Sequence, residues 1–392
     1  MSRLDVWLAW PAFLACSWTW CIGMYLPVLL RDIYGWPAVL VFAIPNVIGV
    51  MHFAWSIRST PESRAFEARH ASWLTAFSVV TVAYHAFFFA WIWRWEYGAG
   101  WLASLAVAPA LYLVALVTAA LSDQALKRLG VLVFGVSVAL LALYSWTVFD
   151  ETTRLALGRD ATWTREDPIG ALFLAPIVTL GFLFGPYFDL TFHRAYRHVG
   201  GGVNGRNSFF MFGVLFAIMI GFTALYAVYG FTRLVTVHLL VQGWFTMTLH
   251  IREISRSTSP RHDRSKGRLI ALTLVAALLG PLPLVLADYR YWYLFYGIVI
   301  PTVGLCMAVR RRFNRRPMSP LLVGLLIVLF TPFGFFGFVG GQEWLLVIPV
   351  AAMIVLGCAG APVGRPSLDS SSPDNPFERA EPVEQTTETV SA

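Results

Sequence analysis

Charge is scarce in this sequence. Only 13% of its 392 residues are Asp, Glu, Lys or Arg, against 57% that are hydrophobic, whereas a soluble domain carries about 25% charged residues to face water. That shortage excludes an ordinary water-soluble fold. The formal net charge of +7 does not mark a nucleic-acid surface, because the basic residues fall in short runs between apolar stretches, the pattern of membrane topology. Cysteine is rare as well. Cys16, Cys21, Cys306 and Cys358 all lie in apolar segments without metal-site spacing, which argues against a zinc site or a disulfide framework. The chain also lacks the Gly-x-x-x-x-Gly-Lys-Ser/Thr phosphate loop, the His-Glu-x-x-His zinc pair and the Gly-x-Ser-x-Gly nucleophile turn, so nothing points to those enzyme classes. No cofactor is indicated.

What the sequence has instead is long apolar runs. About 20 such residues cross the roughly 30 Å hydrocarbon core. Twelve candidate spans lie near 6–29, 36–57, 71–94, 101–122, 129–149, 168–190, 207–229, 232–251, 268–287, 290–309, 320–338 and 343–361. Loops after even-numbered spans carry 19 Lys and Arg, and loops after odd-numbered spans carry 7. By the positive-inside rule this places both termini in the cytoplasm and predicts a multi-pass protein of the inner cell membrane. The first span is bulky and aromatic without a small-residue cleavage site, and reads as a membrane helix, not a leader. From about 362 the chain turns polar and rich in Ser, Pro and Glu, predicting a disordered cytoplasmic tail over 362–392. No loop is long enough for a soluble domain. The expected fold class is all-α, a single transmembrane domain over 1–361.

Two spans are interrupted. Span 1 reads Ser17-Trp-Thr-Trp-Cys-Ile-Gly23-Met-Tyr-Leu-Pro27, and span 6 reads Gly181-Phe-Leu-Phe-Gly185-Pro186-Tyr-Phe-Asp189. Proline removes an amide donor and glycine tolerates unusual backbone angles. In hydrocarbon the freed groups need protein or a water-filled cavity to satisfy them. Matched breaks in two halves of a chain point to a transporter's binding site. An offset of five spans makes the halves start on opposite sides of the membrane, so the repeat is expected to be inverted, with halves 1–166 and 167–310 and two further helices over 320–361. Ile22-Gly-Met-Tyr25 aligns with Phe184-Gly-Pro-Tyr187, and nine residues after each tyrosine comes another, Tyr34 and Tyr196. Helix is expected to be lost near Gly23–Pro27 and Gly185–Pro186.

The stretch Cys21-Ile-Gly-Met-Tyr-Leu-Pro-Val-Leu-Leu-Arg-Asp-Ile-Tyr-Gly-Trp-Pro, followed by Phe42-Ala-Ile-Pro-Asn-Val-Ile-Gly, resembles the first broken helix and the start of the next helix in the sodium/solute symporters. Phe184-Gly-Pro-Tyr-Phe-Asp-Leu-Thr-Phe-His-Arg194-Ala is similar to their sixth core helix. The resemblance covers about a fifth of the chain. It implies a LeuT-type fold of ten core helices in two inverted repeats, and a secondary transporter that moves a small solute by alternating access, coupled to Na+. It also implies a hydroxyl pair on the eighth core helix at a sodium site, for which Thr246 and Thr248 are the nearest match.

Polar groups inside a membrane are expensive and invite functional hypotheses. Asn46, His52, His85, Asp189, His193, His238 and Gln242 are of this kind. The breaks are expected to build a solute pocket lined by Trp20, Gly23, Tyr25, Phe184, Gly185 and Tyr187, with Asp189 the only carboxylate near a break. The backbone near Trp20, Cys21, Ile22 and Gly23, with Thr246, would hold the cation. Thr246 has an alternative partner in its own backbone. Asp189 has two others: pairing with Arg194 or His193, or lying as a polar end at the interface. The partners expected are the lipid bilayer and a small solute, with no nucleic acid. Two other readings stay open. One is a lipid-modifying membrane enzyme using the His193, Arg194, Arg197 and His198 group. The other is a transporter-like sensor or partner subunit that binds without transporting.

Overall fold

With no water in a hydrocarbon core to meet them, backbone amides and carbonyls must pair within the chain, and every element among the described residues is helical. The computed structural model describes residues 2–150, 167–256, 266–281, 294–313 and 320–359. The expected tail, the 151–166 loop and parts of the ninth and tenth expected spans lie outside the described residues.

The helices are α1 (Asp5–Trp18), α2 (Cys21–Tyr34), α3 (Trp36–Ser56), α4 (Thr60–Trp95), α5 (Trp101–Thr118), α6 (Asp123–Phe149), α7 (Pro168–Phe188), α8 (Leu190–His198), α9 (Gly202–Tyr229), α10 (Arg233–Ser255) and α11 (Lys266–Leu279). They continue with α12 (Ile300–Phe313), entered through a π-turn at Phe295–Val299, then α13 (Leu321–Val339) and α14 (Glu343–Leu356). Among the described residues eight helices are long and apolar enough to cross a membrane, or nine when the bent pair α1–α2 is taken as one span. Ile270–Leu279, Phe295–Met307 and Glu343–Leu356 are shorter apolar helices. The chain is a polytopic helical membrane protein. Its outward faces carry Leu102, Trp146, Leu321 and Val328 exposed, as lipid-facing surfaces require.

Two loops expected from charge prove to be helical. Residues 60–70, with Arg64 and Arg69, form the first turns of α4, which kinks at His70. The start is fixed by an N-cap: Ser59 Oγ accepts from Glu62 N at 3.3 Å, and Glu62 Oε2 reaches back to accept from Arg58 N at 2.7 Å. Similarly, Arg194 and Arg197 lie on α8.

Helix α1 packs against α9, α6, α10 and α8, while α7 packs against α3 and α12, and α8 against α4. Helix α4 packs on α5 and α11, and α10 on α11 and α5. The closest approaches use glycine, as is usual between membrane helices. At Gly130 of α6 a side chain would meet Phe13 Cα at 2.9 Å, so only Gly lets α6 reach the backbone of α1.

Candidate functional site: a cavity between two broken spans

Neither interruption falls where Gly and Pro place it: the first span is broken at another point, and the sixth is continuous to its end. Helix α2 runs unbroken through Gly23 and Pro27, and α7 runs through Gly185 and Pro186 to Phe188. The break is at Thr19 and Trp20, where α1 and α2 meet at 59°. The single residue Asp189 separates the end of α7 from α8. The reason lies in the side chains that take over the lost backbone bonds. The last carbonyls of a helix have no intrahelical partner. In α1 the Ala15 carbonyl accepts from Thr19 N and from Thr19 Oγ1 at 2.7 Å, and the Trp18 carbonyl accepts from Trp20 N at 2.8 Å. The Ser17 carbonyl accepts from the Trp20 indole at 2.7 Å, and the Cys16 carbonyl from Thr246 Oγ1 at 3.3 Å. Past the end of α7, Asp189 Oδ1 caps α8, accepting from Thr191 N at 2.8 Å and Thr191 Oγ1 at 2.6 Å.

A cavity of about 90 Å³ opens between the two spans, room for several waters or one small solute. Helix α2 supplies Ile22, Gly23 and Leu30, and α7 supplies Leu174, Gly181 and Gly185. Trp18 and Trp20 floor it, Asn46 enters from α3, Phe77 from α4 and Tyr296 from the π-turn. Among the described residues no charged side chain lines it. Trp18 is fixed by its indole donating to Asn46 Oδ1 at 2.8 Å, by an edge contact to Phe192 and by a tilted contact to Trp20. The first amides of α2, at Cys21, Ile22 and Gly23, precede the first α2 bond, which runs from Met24 N to the Trp20 carbonyl. They leave the positive end of that helix at the cavity floor, without a side-chain cap.

Of the residues expected to form the pocket, Trp20, Gly23 and Gly185 line it, as does Ile22. Tyr25 points away among Phe88, Trp91 and Phe231, its hydroxyl donating to Glu96 Oε1 at 2.6 Å. Phe184 faces α12, where its Cβ stands 2.5 Å from the side-chain position of Gly304. Tyr187 packs against Phe53 and Phe66 and bonds Ser56. Asp189 is fully buried, and neither alternative partner holds it: it caps α8 while its Oδ2 has no partner. The helical period explains the split. Residues 23 and 25, like 185 and 187, sit about 200° apart around a helix, so both of a pair cannot face one cavity unless the helix is lost there.

The expected cation ligands divide likewise. Thr246 does reach the break, and bonds across to α1 instead of to its own helix. Thr248 bonds back to the Trp244 carbonyl at 2.8 Å. Cys21 and Ile22 begin α2, and carbonyls of a first turn point along the helix into its own bonds. The carbonyls turned toward Thr246 come from the end of α1, and Cys16 was missed because a tertiary contact, not a local motif, selects it.

Below the break the two spans close on a network of charges. Asp123, at the start of α6, meets Arg194 at 3.0 Å, Arg252 at 2.5 Å and Arg256 at 2.7 Å, with His198 at 3.8 Å. Arg194 also pairs with Glu253 at 2.8 Å, Arg197 with Glu67, and Lys127 with Asp5 at 2.5 Å. His193 is saturated by Ser63 Oγ and the Tyr187 carbonyl, each at 3.1 Å, and His198 stacks on Trp10. The four residues considered for an enzyme site are thus all engaged in holding α8 to its neighbours. Among the described residues no group of three or more His, Cys, Asp or Glu is placed to hold a metal. Comparison with protein-family models and with curated proteins finds no match to this chain.

Proposed function

We propose that this chain is a secondary transporter of LeuT-type architecture, moving a small solute by alternating access and coupled to a cation, with Na+ as the ion its oxygen ligands suit. The observation that carries the reading is the cavity bounded by the broken span α1–α2 and by α7, with floor residues from the break at Thr19 and Trp20. The packing supports the repeat. Shifting every span by five turns one contact into another: α1 on α9 becomes α7 on α3, and α1 on α6 becomes α7 on α12. Likewise α4 on α11 becomes α10 on α5, α4 on α5 becomes α10 on α11, and α1 on α10 becomes α7 on α4. Counting the bent pair as one span and adding the three shorter apolar helices brings the spans to twelve.

The lining defines the solute class. Apolar and aromatic walls take a compact apolar body, and the free amides of α2 take one anionic group. Thr246 Oγ1 and the Cys16 carbonyl, 3.3 Å apart, can both ligate one small hard cation. The charged network and the cavity lie on opposite sides of the break, since α1 rises from Asp5 to Trp18 and α2 continues to Tyr34. That arrangement describes a state closed at the network end.

The test is thermal unfolding of the purified protein in Na+ or choline buffer across a panel of small organic acids and amino acids. A ligand at 100 times its Kd adds about 2.7 kcal/mol, so a genuine solute raises Tm by several degrees, and more in Na+. Stabilisation without uptake into proteoliposomes favours the sensor reading. Absence of both removes the transporter reading.

A further inference from the structure

Beside Trp20, two histidines are held within one turn of α4: His85 of α4 on the Thr81 carbonyl, and His250 of α10 on the Ser78 hydroxyl. His85 and His250 are both fully buried and lie within electrostatic reach of one another. His85 Nδ1 stands 2.8 Å from the Thr81 carbonyl. A carbonyl only accepts, so Nδ1 carries the proton and Nε2 of neutral His85 presents a bare lone pair. That Nε2 has no partner. His250 Nδ1 pairs with Ser78 Oγ at 3.2 Å, and its Nε2 has no partner either. His193, by contrast, has both ring nitrogens bonded, while His238, held by Ser137 Oγ at 3.1 Å, also leaves its Nε2 without a partner but among the described residues has no second histidine beside it on α4. An unpaired ionisable group in a membrane interior is costly and marks function.

The pair touches the cavity through Trp20. That ring, which lines the cavity floor, lies 5.5 Å from His250, 5.0 Å from Phe77 and 5.9 Å from Tyr296. Among the described residues Tyr84 lies beside His85 on α4, and Tyr296 of the π-turn lies beside Tyr84 and Trp20. Glu253, nearly one turn from His250 on α10, is committed to Arg194. Among the described residues no carboxylate is paired with either imidazole.

We infer that His85 and His250 form a proton-binding site beside Trp20, occupied together with an anionic solute group in the cavity. The proton comes from bulk water to the Nε2 lone pair of His85 and returns to bulk water on release. Its positive charge next to the positive end of α2 is unfavourable alone. An anionic group at those amides removes the penalty, so solute and proton each raise the other's affinity. An imidazolium at His250 also attracts the Trp20 ring, holding the cavity floor in place. The coupling rests on the transporter reading; the proton site itself does not.

The test follows proton binding directly. Protein labelled with 13C,15N-histidine in lipid nanodiscs is titrated between about pH 4 and pH 9 and the imidazole signals of its eight histidines are followed by NMR. The expected result is a titration shared by two buried histidines. It is lost from both in His85→Gln, whose amide still reaches the Thr81 carbonyl, and again in His250→Gln. It persists in His198→Gln, and Ser78→Ala, which keeps both histidines, moves its midpoint by about one pH unit. No titrating buried histidine in the wild type, or a wild-type curve in both single variants, overturns the site. A shared titration in a protein that neither binds nor moves any solute of the panel leaves the site standing and sinks the transporter reading. Solute uptake with no such titration does the reverse.

Discussion

The hydroxyl of Thr246, in the middle of α10, donates to the carbonyl of Cys16 one turn before the first break, 3.3 Å away and wholly buried. This contact ties the lower half of the first broken span to α10 and sets two oxygens beside each other. Thr246→Val keeps the shape and removes the hydroxyl. We expect it to cost about 1 kcal/mol of stability and to abolish any extra stabilisation by Na+ over choline. Thr246→Ser should retain both. The measurement is thermal unfolding in the two salts, and equal Na+ dependence in Val and wild type would count against the cation site.

The charged network makes a graded prediction. Arg252 is nearly fully buried and depends on Asp123, while Arg256 is 40% exposed. Asp123→Ala leaves a buried guanidinium without its carboxylate, a loss of about 3 kcal/mol or more. Arg256→Ala removes an exposed partner and should cost under about 1 kcal/mol. Denaturant unfolding in detergent separates the two, and similar losses would mean that Asp123 is not the centre of this network.

At Gly185 a Cβ would stand 3.1 Å from the Trp18 ring, whereas at Gly23 the nearest atom is 3.9 Å away. Gly185→Val therefore has to displace Trp18, and is expected to reduce solute binding at least about tenfold, equal to 1.4 kcal/mol. Gly23→Val fills cavity space without that clash and should weaken binding while leaving Tm within a few degrees. Binding is read by ligand-induced Tm shifts. Intact binding in Gly185→Val would place the solute elsewhere.

Two glycines of one helix provide a packing test. Gly130→Ala drives a methyl to 2.9 Å from the Phe13 backbone, and Gly135→Ala meets nothing within 4 Å. The first should destabilise by about 1–3 kcal/mol and the second by less than about 0.5 kcal/mol in either direction. Unfolding midpoints that rank the other way would refute the close approach of α1 and α6.

Topology is testable because the described cysteines Cys16, Cys21 and Cys306 are buried and give little background. Single cysteines introduced near Glu96 and Glu343 are expected to react with an impermeant maleimide on intact cells, and one at position 264 only after permeabilisation. Strong labelling at 264 from outside reverses the orientation.

Much of this was legible in the chain itself. Apolar runs and scarce charge dictate a helical membrane protein, because unpaired backbone is intolerable in hydrocarbon whatever the fold. Gly23-to-Pro27 marks the span that breaks, although the helix itself continues through those residues. Tertiary structure decided where helix is lost. The loss falls at Thr19 and Trp20, and at Asp189 past the end of α7, because an indole, two hydroxyls and a carboxylate there replace the lost backbone bonds. It decided that Tyr25, Phe184 and Tyr187 turn away from the cavity while Trp18 and Asn46 enter it, since helix continuity past Pro27 and Pro186 fixes which faces point inward. The bonds of Thr246 to Cys16, and of His250 to Ser78, join residues more than a hundred positions apart. Local propensity carries no record of such contacts; they exist only once the helices have packed.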